Sequence, residues 1–517
     1  MKNGTFGATA ILLVFLVLLL NGCTNPTGDD SSDLDDQTND DTAITVTVSI
    51  EATTPDAFED GLEAGVITIS RGDSTDGALE VSATVSGTAS DSDYSETITS
   101  PITIPNGEAS VTVTITPVDD SIREADETVI ISVSESDSYQ LSDQLEATIT
   151  ITSNDYLDSL TYIDDLTDTA ETGFEESYSI IGLSVDGNVY AAVSGYADNG
   201  VTILSVDADG SFSPVHTVFD DGTTAFSGPR YMDVATVGGN VFLVVPGSTD
   251  DGFAVFQVDT DGSLTITDNV TDDDDYKLNG VWAAKAIDVG TNTYIVLGGN
   301  EDGISVFELS SDGTVTSTDN VAHDGTTAME FIWQIETFAT ATASYVVPVG
   351  LTSNGFTVFE LSSSGTLTLK DTVVDDETIL LEQPYWVRHA EIDGAHYLYS
   401  GGASEHGISS FVVESDGTVS HVANVADDGT MGIKEIVDGA VISDVSGTTL
   451  VTASWEEGIT LFSIGDDGSL SVQDTIAESA STAFYYLYAI DNIKIGASVF
   501  ALTAAYFGEG IASVQLK

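Results

Sequence analysis

The sequence predicts an all-β protein: an immunoglobulin-like β-sandwich followed by a seven-bladed β-propeller closed by its own N-terminal strand. Three observations carry this. Seven glycines, Gly200, Gly252, Gly303, Gly355, Gly407, Gly458 and Gly510, open near-copies of one strand (GVTIL, GFAVF, GISVF, GFTVF, GISSF, GITLF, GIASV) at intervals of 52, 51, 52, 52, 51 and 52 residues. A period of this order builds a solenoid, a propeller or an array. The last copy ends at Lys517 without its following strand, and the missing strand stands far upstream, where DSLTYIDDLT (158–167) matches GSLTITDNVT (262–271). A closed ring needs its termini to share a blade, whereas an open solenoid gains nothing from the split. Ahead of the repeats, short segments alternate apolar and polar residues between turns rich in Gly, Asp and Pro, the period of half-buried strands.

Taken in order, residues 1–22 form a weakly basic start and an apolar run, Ala10 to Leu20, too short to span a bilayer comfortably. The run ends in Leu20-Asn21-Gly22-Cys23, which resembles a bacterial lipoprotein signal. The resemblance implies cleavage before Cys23, lipid attachment to that thiol and, with Thr24 next in line, anchoring at the outer membrane or cell surface. Cys23 is the single cysteine, so an intramolecular disulfide is excluded. An ordinary secretory signal would share the apolar run. Residues 23–42 carry seven Asp and no basic residue, a composition that stays extended and suits a tether.

From Ala43 to Asp155 the alternation sets in, with Ile44, Val46, Val48 and Ile50 on one side of the first strand. Further strands are expected at Val66–Ser70, Leu79–Val85, Thr97–Ile104, Ser110–Thr116, Thr128–Ser134 and Ala147–Thr152, enough for a sandwich of about one hundred residues. The blocks GVITISR (65–71), GTASDSDY (87–94), IPNG (104–107), VDDSIREADET (118–128) and ATITITSND (147–155) resemble, in order and spacing, those of a Calx-β domain. That resemblance implies calcium held by carboxylates at one end of the sandwich, here Glu51, Asp93, Asp119, Asp120, Glu124, Glu127 and Asp155. Ser121 and the Ser153-Asn154 pair stand where calcium-binding members often carry Asp, which implies fewer or weaker sites. Crowded carboxylates repel unless a cation sits among them, the independent reason to expect Ca2+ as a structural cofactor. A carboxylate run that only shapes the turn is the alternative.

Residues 156–517 divide into units of four strands, illustrated by Val281–Asp288, Tyr294–Leu297, Ile304–Leu309 and Thr314–Val321, the first innermost. Asp-Gly pairs at 209, 261, 312, 416 and 467 predict tight turns before the outer strand rather than calcium loops. The repeat GISVFELSSDGTVTSTDNV resembles blades of lactonase-type seven-bladed propellers, a resemblance that bears on fold far more than on activity.

Composition bounds the partners. Against 85 Asp plus Glu stand 11 Lys plus Arg, a formal charge of −74. Such a surface repels nucleic acid and anionic lipid, attracts cations and favours solubility in salt. Loops joining second to third strands and outer to next inner strands share one face, and both sets are acidic, which predicts an anionic rim. Within it the scarce cations Arg230, Lys285, Arg388 and Lys434 lie on or before inner strands, together with Tyr231, Trp282, Trp333, Tyr385, Trp386, Tyr485 and Tyr486. We expect Arg230, Tyr231, Trp282, Lys285, Trp333, Trp386 and Arg388 to frame an aromatic, cationic pocket at the channel mouth for a glycan, a small acid or a protein ligand. Aromatics that only seal blade interfaces are the alternative. No metal-binding histidine spacing and no G-x-S-x-G elbow occurs, and of the six histidines only His389 lies on an inner strand. The expectation is a monomeric, lipid-anchored surface protein for binding, adhesion or scaffolding; a lactonase-like hydrolase using Glu, Arg and His389 is the alternative.

Overall fold

A computed structural model describes residues 46–517 apart from 91, 96, 97, 120–125, 156, 274, 445, 446, 456, 480, 481, 508 and 509. Cys23, the tether, Asp120 and Glu124 lie outside the described residues. Among those described there is no α-helix, only one short 3-10 turn at Asp60–Leu62, and no helix able to cross a membrane.

The sandwich consists of two four-stranded sheets and a two-stranded ribbon that pairs Leu79–Val81 with Ile102–Ile104. One sheet pairs Ser110–Ile115, Gly65–Arg71, Thr47–Thr54 and Gln140–Leu141, and the other Asp56–Phe58, Glu146–Thr152, Glu127–Val133 and Ala83–Gly87. Alternate residues Val48, Ile50, Ile67, Ile69, Val129, Ile131, Ile149 and Ile151 fill its core, as the period-two pattern requires. Arg71 is buried and spends its guanidinium on the carbonyls of Thr75, Gly77, Pro105 and Glu108.

Seven four-stranded antiparallel sheets follow, one per repeat. Their inner strands are Ile180–Val185, Asp233–Val237, Val281–Val289, Ile332–Ala339, Pro384–Ile392, Ile436–Asp444 and Leu487–Ile495, and we number blades 1 to 7 in that order. Blade 7 is completed from upstream: Leu160 pairs with Leu516 and Thr167 with Gly510, while the Asp158 N–H donates to the Lys517 carbonyl at 2.9 Å. The ring is closed by the segment that the matching sequences single out.

The two glycines of each repeat have different reasons. At Gly355 a Cβ would lie 2.1 Å from the Val373 carbonyl oxygen, because third and outer strands start in close approach. The turn glycine Gly365 has φ +74°, and a Cβ there would lie 2.6 Å from the Tyr294 ring of the previous blade. The same contact recurs around the ring, with Phe500 on Gly210, Tyr190 on Gly262, Phe242 on Gly313, Tyr345 on Gly417 and Tyr397 on Gly468. An aromatic on six of the seven second strands thus closes onto a glycine of the next blade. Outer strands are joined as well: the second oxygens of Asp164, Asp268, Asp319, Asp371 and Asp474 accept the N–H of Phe212, Val315, Leu367, Val419 and Leu160 on the following blade, at 2.7–3.0 Å.

Candidate functional site

Five of the seven blades share one backbone device at the head of the inner strand. In blades 3, 4, 6 and 7 the pairing of inner with second strand skips Trp282, Trp333, Val437 and Tyr488, and in blade 5 it skips Tyr385 and Trp386. Such a bulge re-aims a side chain at a rim. One and two repeats upstream of Trp282, at 52-residue steps, stand Arg230 and Tyr178. Two residues before each of these seven positions the backbone is left-handed: Glu176, Gly228, Gly280, Phe331, Gln383, Glu435 and Tyr486 have φ between 53° and 67°. Five are not glycine, so each is held at a cost of about 1 kcal/mol or more.

What holds them is the acidic loop set. Asn199, Asp251, Asp302 and Asn354 accept the N–H of Gly228, Gly280, Phe331 and Gln383 on the following blade at 2.7–3.1 Å. Asp250, Glu301, Glu405 and Glu457 accept the adjacent N–H groups of Ser227, Asn279, Glu382 and Lys434 within their own blades. The second-to-third loops are acidic, but these carboxylates are acceptors for backbone donors rather than a free anionic rim.

The bulged side chains make a continuous aromatic surface. Trp282 meets Trp333 at 4.4 Å, Trp333 meets Tyr385 at 4.6 Å, Tyr385 meets Trp455 at 5.2 Å, Trp455 meets Tyr488 at 5.6 Å and Tyr488 meets Tyr178 at 4.9 Å. Tyr178 meets Trp282 at 5.8 Å, which closes the circuit, and Arg230 lies against both rings. Its guanidinium lies 3.5 Å from the Trp282 ring, 4.2 Å from Tyr178 and 4.4 Å from Tyr196. Nε donates to Ser248 at 3.0 Å, whereas Nη1 is buried with no hydrogen-bond partner. No carboxylate among the described residues pairs with Arg230, although the chain has 85 of them. A buried cation with an open donor is costly unless something completes it.

Below the mouth Tyr231 crosses the channel. Its hydroxyl accepts the Trp333 Nε1–H at 2.9 Å and donates to the Tyr488 carbonyl at 3.3 Å, and burial pushes its pKa well up, so the phenol stays neutral. Beneath it a cavity of about 80 Å³ is bordered by Asp233, Lys285, Gln334, Arg388, Asp438 and Asp491. Asp233, Lys285, Glu336, Arg388 and Asp491 stand at one height, opposite Val244, Val296, Val347, Tyr399 and Leu502 of the second strands. Lys285 pairs with Asp233 at 3.3 Å. Arg388 pairs with Asp438 and with Glu336 at 3.5 Å, and donates to the Gly439 carbonyl at 2.6 Å. Burial pushes Glu336, Asp438 and Asp491 upward, an effect the neighbouring cations oppose. Burial pulls Lys285 and Arg388 down, but the carboxylates around them leave both above their ordinary values. The carboxylates also cap bare inner edges: Asp233, Asp438 and Asp491 accept the N–H of Ala286, Ile490 and Gly182.

The residues singled out in the sequence therefore separate by place. Arg230, Trp282 and Trp333 come together at the mouth, and Tyr231 lies just below them, hydrogen-bonded to Trp333. Lys285 and Arg388 are committed to the channel ring below. Trp386 is fully buried and packs on Gly439 between blades 5 and 6. His389 is part-buried away from the mouth residues: its ring stacks on Phe338 at 4.2 Å, Nε2 meets His396 Nδ1 at 3.0 Å, and burial lowers its pKa to about 3. Tyr178, Tyr196, Tyr488 and Tyr506 belong to the mouth without having been anticipated. The signal for Tyr178 and Tyr488 is their repeat phase rather than residue type.

In the sandwich, Asp93 hydrogen-bonds with Glu127, Ser90 and Ser92, contacts that outweigh burial and lower its pKa. The Asn154 amide donates to Asp119 at 3.3 Å, and the Asn154 N–H to buried Glu59 at 3.3 Å. Asp155 follows directly at the same end, while Glu51 is exposed in the first strand opposite Thr68. Among the described residues no group of three or more His, Cys, Asp or Glu is arranged to hold a metal ion. In the contact of Asp93 with Glu127 two of the expected ligands meet.

No protein-family model matches the chain, and no curated protein sequence matches it. Among solved structures it is similar to a protein from Lactobacillus plantarum, 16% identical, over 60% of this chain and 88% of that one with a TM-score of 0.46. It is also similar to the periplasmic gluconolactonase PpgL of Pseudomonas aeruginosa, 13% identical, over 62% of this chain and 96% of that one, again with a TM-score of 0.46.

Proposed function

We propose that the protein is a lipid-anchored binding protein of the cell envelope whose propeller takes a small carboxylated ligand, such as a sugar acid, at the channel mouth. The observation that carries this is Arg230: a buried guanidinium held between three aromatic rings with an open Nη1 donor. A carboxylate supplies what that donor lacks, and a planar or ring-shaped body suits the surrounding aromatic faces. Seating it requires the half-buried Tyr196 ring to swing aside. Isothermal titration with glucuronate, gluconate and benzoate tests the reading, with Arg230→Gln expected to abolish binding and Arg388→Lys to leave the mouth intact. Wild-type protein that binds none of these acids overturns it.

A second reading, lactone hydrolysis, rests on Glu176, whose carboxylate lies near the Tyr506 hydroxyl beside the Arg230 cage. Burial and Glu176 push the Tyr506 pKa up, so the phenol keeps its proton. Glu176 could take a proton from a water attacking the lactone carbonyl; the acyl C–O bond then breaks, and Tyr506 protonates the leaving ring oxygen. Loss of lactone opening in Glu176→Gln, with acid binding retained, favours this reading; wild-type protein that opens no lactone removes it.

Two further parts of the reading lie outside the propeller. Lipidation at Cys23 is tested by Cys23→Ser, expected to release the protein from the membrane fraction. Structural calcium in the sandwich is tested by a Ca2+-dependent rise of its melting temperature, absent in Asp93→Asn/Glu127→Gln, and a melt indifferent to Ca2+ in the wild type removes it.

A further inference from the structure

The aromatic surface does not stop at the cage. From Tyr178, which faces Arg230, it continues to Tyr506 at 5.3 Å and from Tyr506 to Phe507 at 4.7 Å. Phe507 then meets Tyr486 at 5.0 Å and Tyr485 at 6.4 Å. Burial falls along this path: Tyr178 is 6% exposed, while Tyr485 is 49% and Phe507 56% exposed. The exposed pair lies on the blade that contains the chain closure, beside the inner strand Leu487–Ile495 that contributes Tyr488 to the mouth. Tyr486 between them is one of the left-handed positions, with φ 56°, and its N–H donates to the Trp455 carbonyl at 3.0 Å. The platform is thereby fixed to the same frame as the cage.

We propose that the ligand is the acidic end of an oligosaccharide: one terminal uronate on Arg230, with the following neutral sugars stacked on Phe507 and Tyr485. This deepens the sugar-acid reading and depends on it. Sugar rings present apolar C–H faces that pack on exposed aromatic rings while their hydroxyls stay in water, so a platform half open to solvent suits them better than an apolar ligand. The charge of the molecule narrows the class further. A chain with a carboxylate on every sugar would meet the field of a protein carrying −74, and Arg230 offers a single guanidinium inside the aromatic cage, so a single terminal acid is the composition that fits.

Calorimetry on the full chain separates the two claims, with glucuronic acid, a xylo-oligosaccharide carrying one terminal glucuronate, and xylotetraose as ligands. We expect the acidic oligosaccharide to bind about tenfold or more tightly than glucuronic acid, and xylotetraose weakly or not at all. Tyr485→Ser/Phe507→Ser should erase the gain of the oligosaccharide over the monosaccharide and leave glucuronic acid binding unchanged. Arg230→Gln should lose both. Both side chains are exposed, and an unchanged melting curve verifies that the double variant is folded. An oligosaccharide that binds no better than glucuronic acid, or a gain that survives in the double variant, overturns the inference while the sugar-acid reading stands. If neither acid binds the wild type, both fall.

Discussion

Three cations of the propeller core show how differently one charge can be used. Arg388 and Lys285 are surrounded by carboxylates and backbone acceptors, whereas Arg230 has aromatic faces and one hydroxyl. Removing Arg388 strands buried Asp438, so Arg388→Met should destabilise the protein by about 3–5 kcal/mol in urea denaturation. Arg230→Met removes an incompletely satisfied charge at the expense of cation–π contact, and its stability should stay within about 1 kcal/mol of wild type. Equal losses for the two variants would mean that Arg230 is structural. His389 gives a pH signature at the same scale. Its folded pKa lies near 3, below the unfolded value, so the unfolded chain binds the extra proton on acidification. The contribution is fully present above about pH 6.5 and falls by about 1.4 kcal/mol per pH unit toward 3. A stability profile of His389→Gln lacking that slope between pH 6 and 4 checks it.

At the level of strands, closure is the decisive pairing. Thr161 lies directly opposite Gln515 in the shared blade. Thr161→Cys/Gln515→Cys should therefore oxidise spontaneously and raise the midpoint of unfolding, by about 2–4 kcal/mol if the bridge is unstrained. Failure to cross-link would place the two strands apart. This closure was legible in the sequence because glycine and apolar spacing recur wherever backbone approach demands them, as at Gly355 and Gly365. The bulges were not legible in the same way. Their positions hold Trp282, Trp333, Tyr385, Val437 and Tyr488, with Tyr178 and Arg230 at the same repeat phase in the two blades that pair without a bulge, so no residue type marks them and only strand pairing shows the skipped residue. Repetition also misled: Trp386 and Arg388 share an inner strand with Tyr385, but which of them faces the mouth depends on where the bulge falls. The acidic loops look like a ligand surface because a sequence records carboxylates and not the backbone donors they meet.

For the molecule as a whole, much of the acidity is turn chemistry. Asp209, Asp221, Asp261, Asp312, Asp324, Asp376, Asp416, Asp428 and Asp467 are held below the ordinary carboxylate range, chiefly by hydroxyls of Ser or Thr two residues away. A depressed folded pKa contributes stability above the unfolded value near 3.9 that disappears as pH falls through the folded value. Protonation of Glu336, Asp438 and Asp491, whose values are raised, acts in the opposite direction. We expect the more numerous turns to dominate, giving a steep loss of stability below about pH 4 beneath the shallower His389 slope; denaturation midpoints from pH 7 to 3 check it. The net charge of −74 also sets the kinetics of capture. A negatively charged ligand approaches against the field, so its association rate should rise between about 10 and 150 mM salt, opposite to attractive steering. Stopped-flow quenching of tryptophan fluorescence measures that sign directly.

The bulge at the head of five inner strands has an evolutionary implication. Because the preceding left-handed residue is anchored by the loop of the neighbouring blade, the protruding side chain can be exchanged without disturbing the hydrogen bonds that hold the wheel together. New recognition properties could then arise by changing a few radially arranged residues, as the occurrence of arginine, tryptophan, tyrosine and valine at equivalent places already illustrates.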